Sequence, residues 1–490
     1  MPFPFFKKIF HNIGMGIILA IDCGTSSVRC LAFDQTKKVI HSEQLDCPLH
    51  HPQPDWVEQD ASLIWQLTKQ CLNQTLSALN GQHILSIGIT NQRETSIVWQ
   101  KSTGQPLGPA INWQCRRTAK RCDALVKKKE MIKAKTGLPL DPYFSASKFE
   151  WLLNSTSDAQ THLAHNDLCF GTVDTWLLYN LTQGKSFRTD VTNASRTMLF
   201  NIHSLTYDSE LCELFQIPIE ALPTVHDSNA EFGVYQFNNI EIPIHAMIGD
   251  QQAALFSQCQ LGEIKNTYGT GLFMMANTGA NIVRTHDLIS TIAIGLKGTV
   301  SYAIEGSIFT GGALIQWLRD QLGLIETSED SESIAQSVPN NGGVSIIPAL
   351  TGLGAPHWRP NAKGLISGLT RQSTKAHIVR AALESIALQS NDIIDRIRNE
   401  CPTISFKTLR VDGGASSNNW LMQLQADVSQ LSVERPSLVE ATAFGAAKCA
   451  ATVTNHWQDV SDENVQVFLP NSKPNDLINQ WNEALRFILN

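Results

Sequence analysis

A turn of glycine and hydroxyl residues between two apolar strands occurs twice in this chain, once near the head of each half. GIILAID (16–22) and VRCLAFD (28–34) flank the first such turn, and IKNTYGTGLFMMAN (264–277) repeats the form around Gly269, Thr270 and Gly271. Short β-branched runs of this kind read as strands, and glycine lets the chain reverse tightly between them. At 490 residues the chain exceeds what one hydrophobic core organises. The recurrence points to two related α/β halves facing each other across a cleft, with a boundary near residue 255. Residues 1–14 read as an N-terminal extension, 15–255 as the first domain and 256–490 as the second.

Other segments fit that plan. SLIWQLTKQCLNQTLSAL (62–79) carries helical apolar spacing, ILSIGIT and SIVW read as strands, and IPIHAMIGD (242–250) runs from a strand into the helix QQAALFSQCQL, which Gly262 is expected to end. TLRVDGG (408–414) is a further strand, with Ser416 or Ser417 expected to cap the helix after it. The net charge of −7, from 38 basic and 45 acidic residues, argues against a general nucleic-acid binder. Eleven scattered cysteines without a C-x-x-C pair suit a reducing cytoplasm better than a disulfide framework or a zinc site. No uninterrupted apolar run is long enough to span a bilayer.

Three glycine turns and four charged residues could carry chemistry. Thr25, Ser26 and Ser27 add hydroxyl donors to the backbone amides after Gly24, a combination that suits phosphate oxygens. Asp22 beside them could hold a hydrated magnesium ion. YGTG offers a second such turn, and the Gly-Gly of VDGGA lets a flat ring such as adenine approach the backbone. Each turn is also compatible with an ordinary hairpin or loop. Asp250, where a strand meets a helix, is either an N-cap or a carboxylate poised to accept a proton from a hydroxyl. Arg93 and Glu94, adjacent in ITNQRETSIVW, are either solvated at a hairpin or matched to a small polyol, whose hydroxyls both donate and accept. Trp113 and Tyr143 are then candidates to pack on its CH edges.

The ordered series DCGTSS, GITNQRET, WQCRRTA, TGLPLDPYFSASK, FGTVDTWLLYNLT, TNASRTMLFNI, GDQQAALF, NTYGTGLFM, IQWLRD, TGLGAPHW, RVDGGASSNN and TAFGAA strongly resembles the glycerol-kinase branch of the FGGY carbohydrate kinase family. The resemblance runs from about Gly16 to about Lys448, and NQRET with DQQAALF is its most specific part. It implies two ribonuclease-H-like domains of the actin and hexokinase superfamily around a deep cleft. It also implies ATP-dependent phosphorylation of glycerol to sn-glycerol 3-phosphate with Mg2+, in the cytoplasm, by a homo-oligomer (a dimer or tetramer). Carried onto matching positions, it places Arg93, Glu94, Trp113, Tyr143, Asp250, Gln251 and Phe273 around glycerol, with Asp250 as general base. It places Thr25, Ser26, Ser27, Arg29, Thr270, Gly312, Gln316, Gly414 and Asn418 at the nucleotide, and Asp22 and Asp250 at the metal. Cys23, Ser26 and His357 depart from the family pattern, where Gln, Thr and Tyr are usual. The alternatives are another sugar kinase of the family, such as a pentulose kinase, and a nucleotide-driven switch or filament protein of the actin type. The second has no use for the polyol shell.

The resemblance also raises the question of control. Some relatives are inhibited by fructose 1,6-bisphosphate through a glycine-rich loop with an arginine, just before the strand that leads to the catalytic aspartate. The corresponding stretch here, FGVYQFNNIEIPIHAMIGD, is short, lacks Arg and Lys, contains Glu241 and follows Glu231. A bisphosphate needs several cationic or amide donors. Titrating fructose 1,6-bisphosphate into a glycerol-dependent assay is expected to give no saturable inhibition through this segment. Inhibition that disappears on mutating residues 235–241 is the contrary result.

Overall fold

The computed structural model describes residues 16–359, 361–436, 440–455, 457 and 464–489, so the 1–14 extension lies outside them. The first half is built on a six-stranded sheet. Its strands are β1 (Ile17–Cys23), β2 (Ser27–Phe33), β3 (Val39–Asp46), β4 (Ile84–Asn91), β5 (Gly233–Phe237) and β6 (Ile240–Gly249), in the spatial order β5-β6-β4-β1-β2-β3. β1, β2 and β3 form an antiparallel meander, β4 and β6 run parallel to β1, and β5 closes the far edge antiparallel. Every residue of β1 is buried, as an apolar strand inside a sheet covered on both faces must be. Helix α1 (Ala61–Ala78), capped by the Asp60 carboxylate, crosses from β3 to β4. The four-residue α2 (Val191–Ala194) and α3 (Asp250–Gln258) complete the elements that position the site.

The second half repeats the topology. Its strands are β7 (Glu263–Tyr268), β8 (Leu272–Gly279), β9 (Ile289–Leu296), β10 (Thr299–Ile308), β11 (Thr408–Asp412), β12 (Ser432–Pro436) and β13 (Val465–Phe468), in the order β9-β10-β8-β7-β11-β12-β13. β7, β8 and β10 mirror the meander, β11 and β12 are the parallel strands, and β13 is the antiparallel edge. β9 is an addition outside the shared pattern. The helices of this half used below are α4 (Gly312–Asp320), α5 (Lys375–Glu400), α6 (Asn419–Ser429) and α7 (Ala441–Thr454).

The duplicated halves meet along two equivalent helices. α3 follows β6 as α7 follows β12, and the two pack on each other, while α7 also lies across β1, β4 and β6 of the first sheet. The sequence of α7, ATAFGAAKCAATVT, is mostly small residues, and the contact needs them. A Cβ on Gly445 would stand 2.0 Å from the Ala253 carbonyl oxygen of α3, and one on Gly88 of β4 would stand 2.4 Å from the Ala446 oxygen.

Two local expectations are corrected, and one alternative is removed. α3 ends at Gln258 with Cys259 extended, so Gly262 does not end the helix; it takes φ 81° in the turn that enters β7. Neither Ser416 nor Ser417 caps α6, because 414–417 form a single 3-10 turn and the Asn418 side chain accepts from the Leu421 amide at 2.8 Å. Asp250 is not an N-cap either. Gly249 holds that position, and Asp250 is the first helical residue. The stretch before it is a hairpin whose turn is only Asn238 and Asn239, with Phe237 opposite Ile240.

Replacing Gly445 by Ala is expected to destabilise the fold by about 1–3 kcal/mol, because a methyl group must push two packed helices apart. A lowered guanidinium midpoint at unchanged slope is the expected reading, and an unchanged midpoint would show that α3 and α7 have room to spare.

Candidate active site

A buried ionic cluster joins the halves. β4 ends at Asn91, and Glu94 three residues further takes φ 61°, so the alternation of an extended strand no longer sends Arg93 and Glu94 to opposite faces. The Arg93 fork binds Glu305 of β10 with Nη1 to Oε2 at 2.6 Å and Nη2 to Oε1 at 3.2 Å. Its Nε lies 3.2 Å from Asp250 Oδ1. Gly249 makes room for this, since a Cβ there would come within 2.9 Å of the Arg93 stem. Arg196, just beyond α2, donates from Nε to Glu94 Oε1 at 2.6 Å and from Nη2 to Glu305 Oε1 at 3.0 Å. Arg93, Glu94, Arg196 and Glu305 are essentially inaccessible, whereas the Asp250 side chain keeps 27% of its surface.

Two guanidinium groups thus face three carboxylates, and the carboxylates differ. Burial pushes Glu305 up, but Arg196 and Arg93 outweigh it and hold the group down at about 2. Burial raises Asp250 to about 6, only partly offset by Arg93 and reinforced by the nearby charges of Glu94 and Asp22. A carboxylate at that level is ionised at neutral pH yet more basic than an ordinary aspartate.

Aromatic rings wall this charged floor. Trp113 meets Tyr143 edge to face at 5.6 Å and Phe273 of β8 at 6.0 Å, so the wall also draws on both halves. The Trp113 indole donates to Thr25 Oγ1 at 2.9 Å, which ties the wall to the first glycine turn. Behind it, fully buried Lys148 donates to the Tyr143 carbonyl at 2.8 Å, and burial pushes its ammonium down to about 7. Gln251 faces the second half, with Lys265 Nζ and Thr267 Oγ1 each 3.4 Å from its Oε1.

The glycine turns lie on both sides of this centre. In the first, the Gly24 amide closes on Ser27 O at 2.9 Å and leaves Ser26 exposed. In the second, the Gly269 and Thr270 carbonyls accept the amides of Gly312 and Gly311 at 2.8 Å, which pins the turn to the start of α4. Gln316 stands on the exposed side of that helix. The third turn comes up against the same place, for Ala415 Cβ is 4.0 Å from where Gly312 would carry a Cβ. Gly413 takes φ 87° there, Gly414 faces open space, and Asn418 caps α6. Thr270, Gly312, Gln316, Gly414 and Asn418 therefore share one surface of the second half.

Arg29 is placed differently from a free phosphate ligand. Its Nη2 binds Asp22 Oδ2 at 2.6 Å and its Nη1 binds Glu440 at the start of α7. Among the described residues no group of three His, Cys, Asp or Glu side chains could hold a metal. Asp22 and Asp250, close enough to influence each other, are two carboxylates, which suits a Mg2+ that takes most of its ligands from water and phosphate. His357 lies apart, 3.6 Å from Asp392, which also accepts from the Trp481 indole. Cys23 is buried at the end of β1. The residue reading missed Arg196 and Glu305. The available signal was a lone charge inside each of the apolar stretches ASRTMLF and YAIEGSIF.

The chain is similar to known proteins over most of its length. The model of the FGGY family of carbohydrate kinases, N-terminal domain, matches residues 17–257, and that of the C-terminal domain matches 264–453. The chain is similar to the glycerol kinase of Shewanella oneidensis, 47% identical over 454 residues, or 91% of this chain and 92% of that one. It is 46% identical to the glycerol kinase of Borrelia garinii subsp. bavariensis over 96% of this chain and 97% of that one. Among solved structures, Plasmodium falciparum glycerol kinase with ADP superposes with a TM-score of 0.91 at 34% identity, covering 97% of this chain and 99% of that one. A gluconate kinase from Lactobacillus acidophilus, at 20% identity and a TM-score of 0.83, shares the fold.

Removing one partner from a buried ion cluster leaves the others uncompensated. Arg93→Ala is expected to lower the unfolding free energy by about 3–5 kcal/mol, because Glu305 and Glu94 stay buried. Urea unfolding within about 1 kcal/mol of the parent would show that water reaches these carboxylates.

Proposed function

Because the chain belongs to the FGGY family of carbohydrate kinases, we infer from its site that it transfers the γ-phosphoryl group of ATP to glycerol, giving sn-glycerol 3-phosphate and ADP. The observation that carries the site assignment is Asp250 beside Arg93 under the wall of Trp113, Tyr143 and Phe273. A polar floor beside an apolar wall suits a small polyol, whose hydroxyls donate and accept while its CH edges pack on the rings.

In this reading Arg93 and Glu94 take two hydroxyls of glycerol, with Gln251 beside them, and the rings cover the CH edges. The terminal hydroxyl then lies against Asp250. Asp250 accepts its proton as the oxygen attacks the γ-phosphorus in line, and the bond from that phosphorus to the departing ADP oxygen breaks. Arg93 Nε keeps the carboxylate ionised despite its burial. The amides and hydroxyls at Thr25, Ser26 and Ser27 and at Thr270 receive negative charge that spreads over the phosphoryl oxygens. Gly312, Gln316, Gly414 and Asn418 line the place for the rest of the nucleotide. Mg2+, held at Asp22 and Asp250 with the phosphates, would neutralise part of their charge. Arg29, tied to Asp22 and Glu440, adds a positive charge beside the phosphates. Closure of the two halves, divided near residue 255, keeps water from competing with the alcohol.

A cytoplasmic location is supported by eleven cysteines present as free thiols, ten of them buried. Among the described residues no helix is long and apolar enough to cross a membrane. A homo-oligomer, dimer or tetramer, is proposed from the family resemblance.

ADP release measured with glycerol, with xylulose and with no acceptor tests the substrate, and only glycerol is expected to support turnover. In Asp250→Asn the rate is expected to fall about 10²–10⁴-fold, with nucleotide affinity within about twofold. Asp250 must be unprotonated to act as base, so the parent's kcat/KM should decline as pH falls through about 6. Near-normal turnover by the variant, or a parent profile flat down to pH 5, would remove Asp250 from this role.

A further inference from the structure

Glu305 interrupts the apolar strand TVSYAIEGSI, where it stands opposite Met275 on one side and Ile289 on the other. It is fully buried and cannot touch a ligand in the cleft. Its oxygens are committed to donors. Oε2 accepts from Arg93 at 2.6 Å, and Oε1 accepts from Arg93 at 3.2 Å, Arg196 at 3.0 Å and Ser307 at 3.2 Å. This engages both terminal nitrogens of Arg93, with Nη1 also donating to Gln252 at 3.2 Å, and leaves the Nε edge turned to Asp250. Arg196 is equally buried, and its other arm holds Glu94. The two residues that would grip the polyol are thus each fixed by a group that lies behind them.

The seam that carries Glu305 is stitched to the first half by hydrogen bonds from backbone amides. The Ser228 amide donates to Gly295 O at 2.8 Å, Ser290 to Gly137 O at 3.0 Å, and Lys297 to Asn229 Oδ1 at 3.2 Å. β9 is the added edge strand of the second sheet, and these bonds dock it on the first half.

We propose that Glu305 and Arg196 are positioning residues for the acceptor. Glu305, contributed by the second half, locks the Arg93 fork, and Arg196 bridges Glu305 to Glu94, so that the polyol grip is set across the seam before nucleotide binds. The proposal rests on the glycerol reading of the site. It goes beyond it by assigning acceptor affinity to two residues that never meet the acceptor. Neutral Gln at 305 keeps the volume and loses the charge that orients Arg93. Lys at 196 keeps the charge and loses the planar fork that spans two carboxylates.

The test is calorimetric titration of glycerol into the nucleotide-free full chain, with steady-state kinetics alongside. The parent is expected to bind glycerol without nucleotide. Glu305→Gln and Arg196→Lys are expected to weaken that binding, and to raise the glycerol KM, about ten- to a hundredfold, with the ATP KM and ADP affinity within about twofold. Glu305→Asp, which restores the charge one methylene short, should recover part of the loss. Unchanged glycerol affinity in both variants overturns the proposal. So does loss of glycerol and ADP affinity in equal measure with a lowered unfolding midpoint, which is what a merely structural role predicts. Should Glu305→Gln not fold, Arg196→Lys and Glu305→Asp carry the comparison. A parent that turned over another acceptor and not glycerol would overturn the substrate reading instead, and the same titrations with that acceptor would still decide the positioning role.

Discussion

The contact of Arg93 with Glu305 is the interaction on which the site depends. Burying an ion is costly by several kcal/mol unless its partners are close and well directed. Here the two arginines, Glu94 and Glu305 meet that condition through four short contacts, three of them made between the halves of the chain. The cluster still carries one carboxylate more than it has guanidinium groups. Burial raises the carboxyl of Asp250, the member with the most remaining exposure, and Arg93 offsets this only in part, whereas Arg196 and Arg93 hold that of Glu305 down. One arrangement therefore joins the halves, aims Arg93 and keeps a basic carboxylate in the cleft.

The duplicated topology explains how so few residues suffice. In each half the first hairpin turn lies where the neighbouring parallel strands end. β1 delivers Asp22 and the hydroxyl turn, β4 delivers Arg93 and Glu94, and β6 delivers Asp250. In the second half β7 and β8 carry the YGTG turn and Phe273, and β11 leads to Gly413 and Gly414. The helices after β6 and β12 pack backbone to backbone, which brings the strand ends close enough for Arg93 to reach β10. Residues from both halves thus meet at one place in the fold without a long connecting loop.

Much of this was legible in the chain itself. Apolar runs long enough for strands, punctuated by glycine and hydroxyl residues, gave β1, β2, β4, β6, β7, β8 and β11 close to their observed limits, because such runs are local in cause. The echo of DCGTSS in YGTG anticipated the two related topologies, since a repeated hairpin reflects a repeated sheet. Local capping was less legible. Ser416, Ser417 and Asn418 are all competent caps, and which one serves depends on a 3-10 turn that the chain adopts against Tyr268 of the neighbouring strand.

What the sequence determined by itself was the set of parts: two sheets, three glycine turns, and Arg93, Glu94 and Asp250 each at a strand end. Short-range physics, the alternation of burial and the freedom of glycine, is enough for these. The relations among them were decided only by tertiary structure. No spacing rule links Arg93 to Glu305, which lie 212 positions apart and in different sheets. Whether Asp250 caps a helix or faces an arginine, whether Arg29 meets Asp22 and Glu440, and how far each carboxyl is shifted all depend on desolvation and Coulomb terms. Those terms fall steeply with distance, so they have no value until the two halves have packed and set the distances.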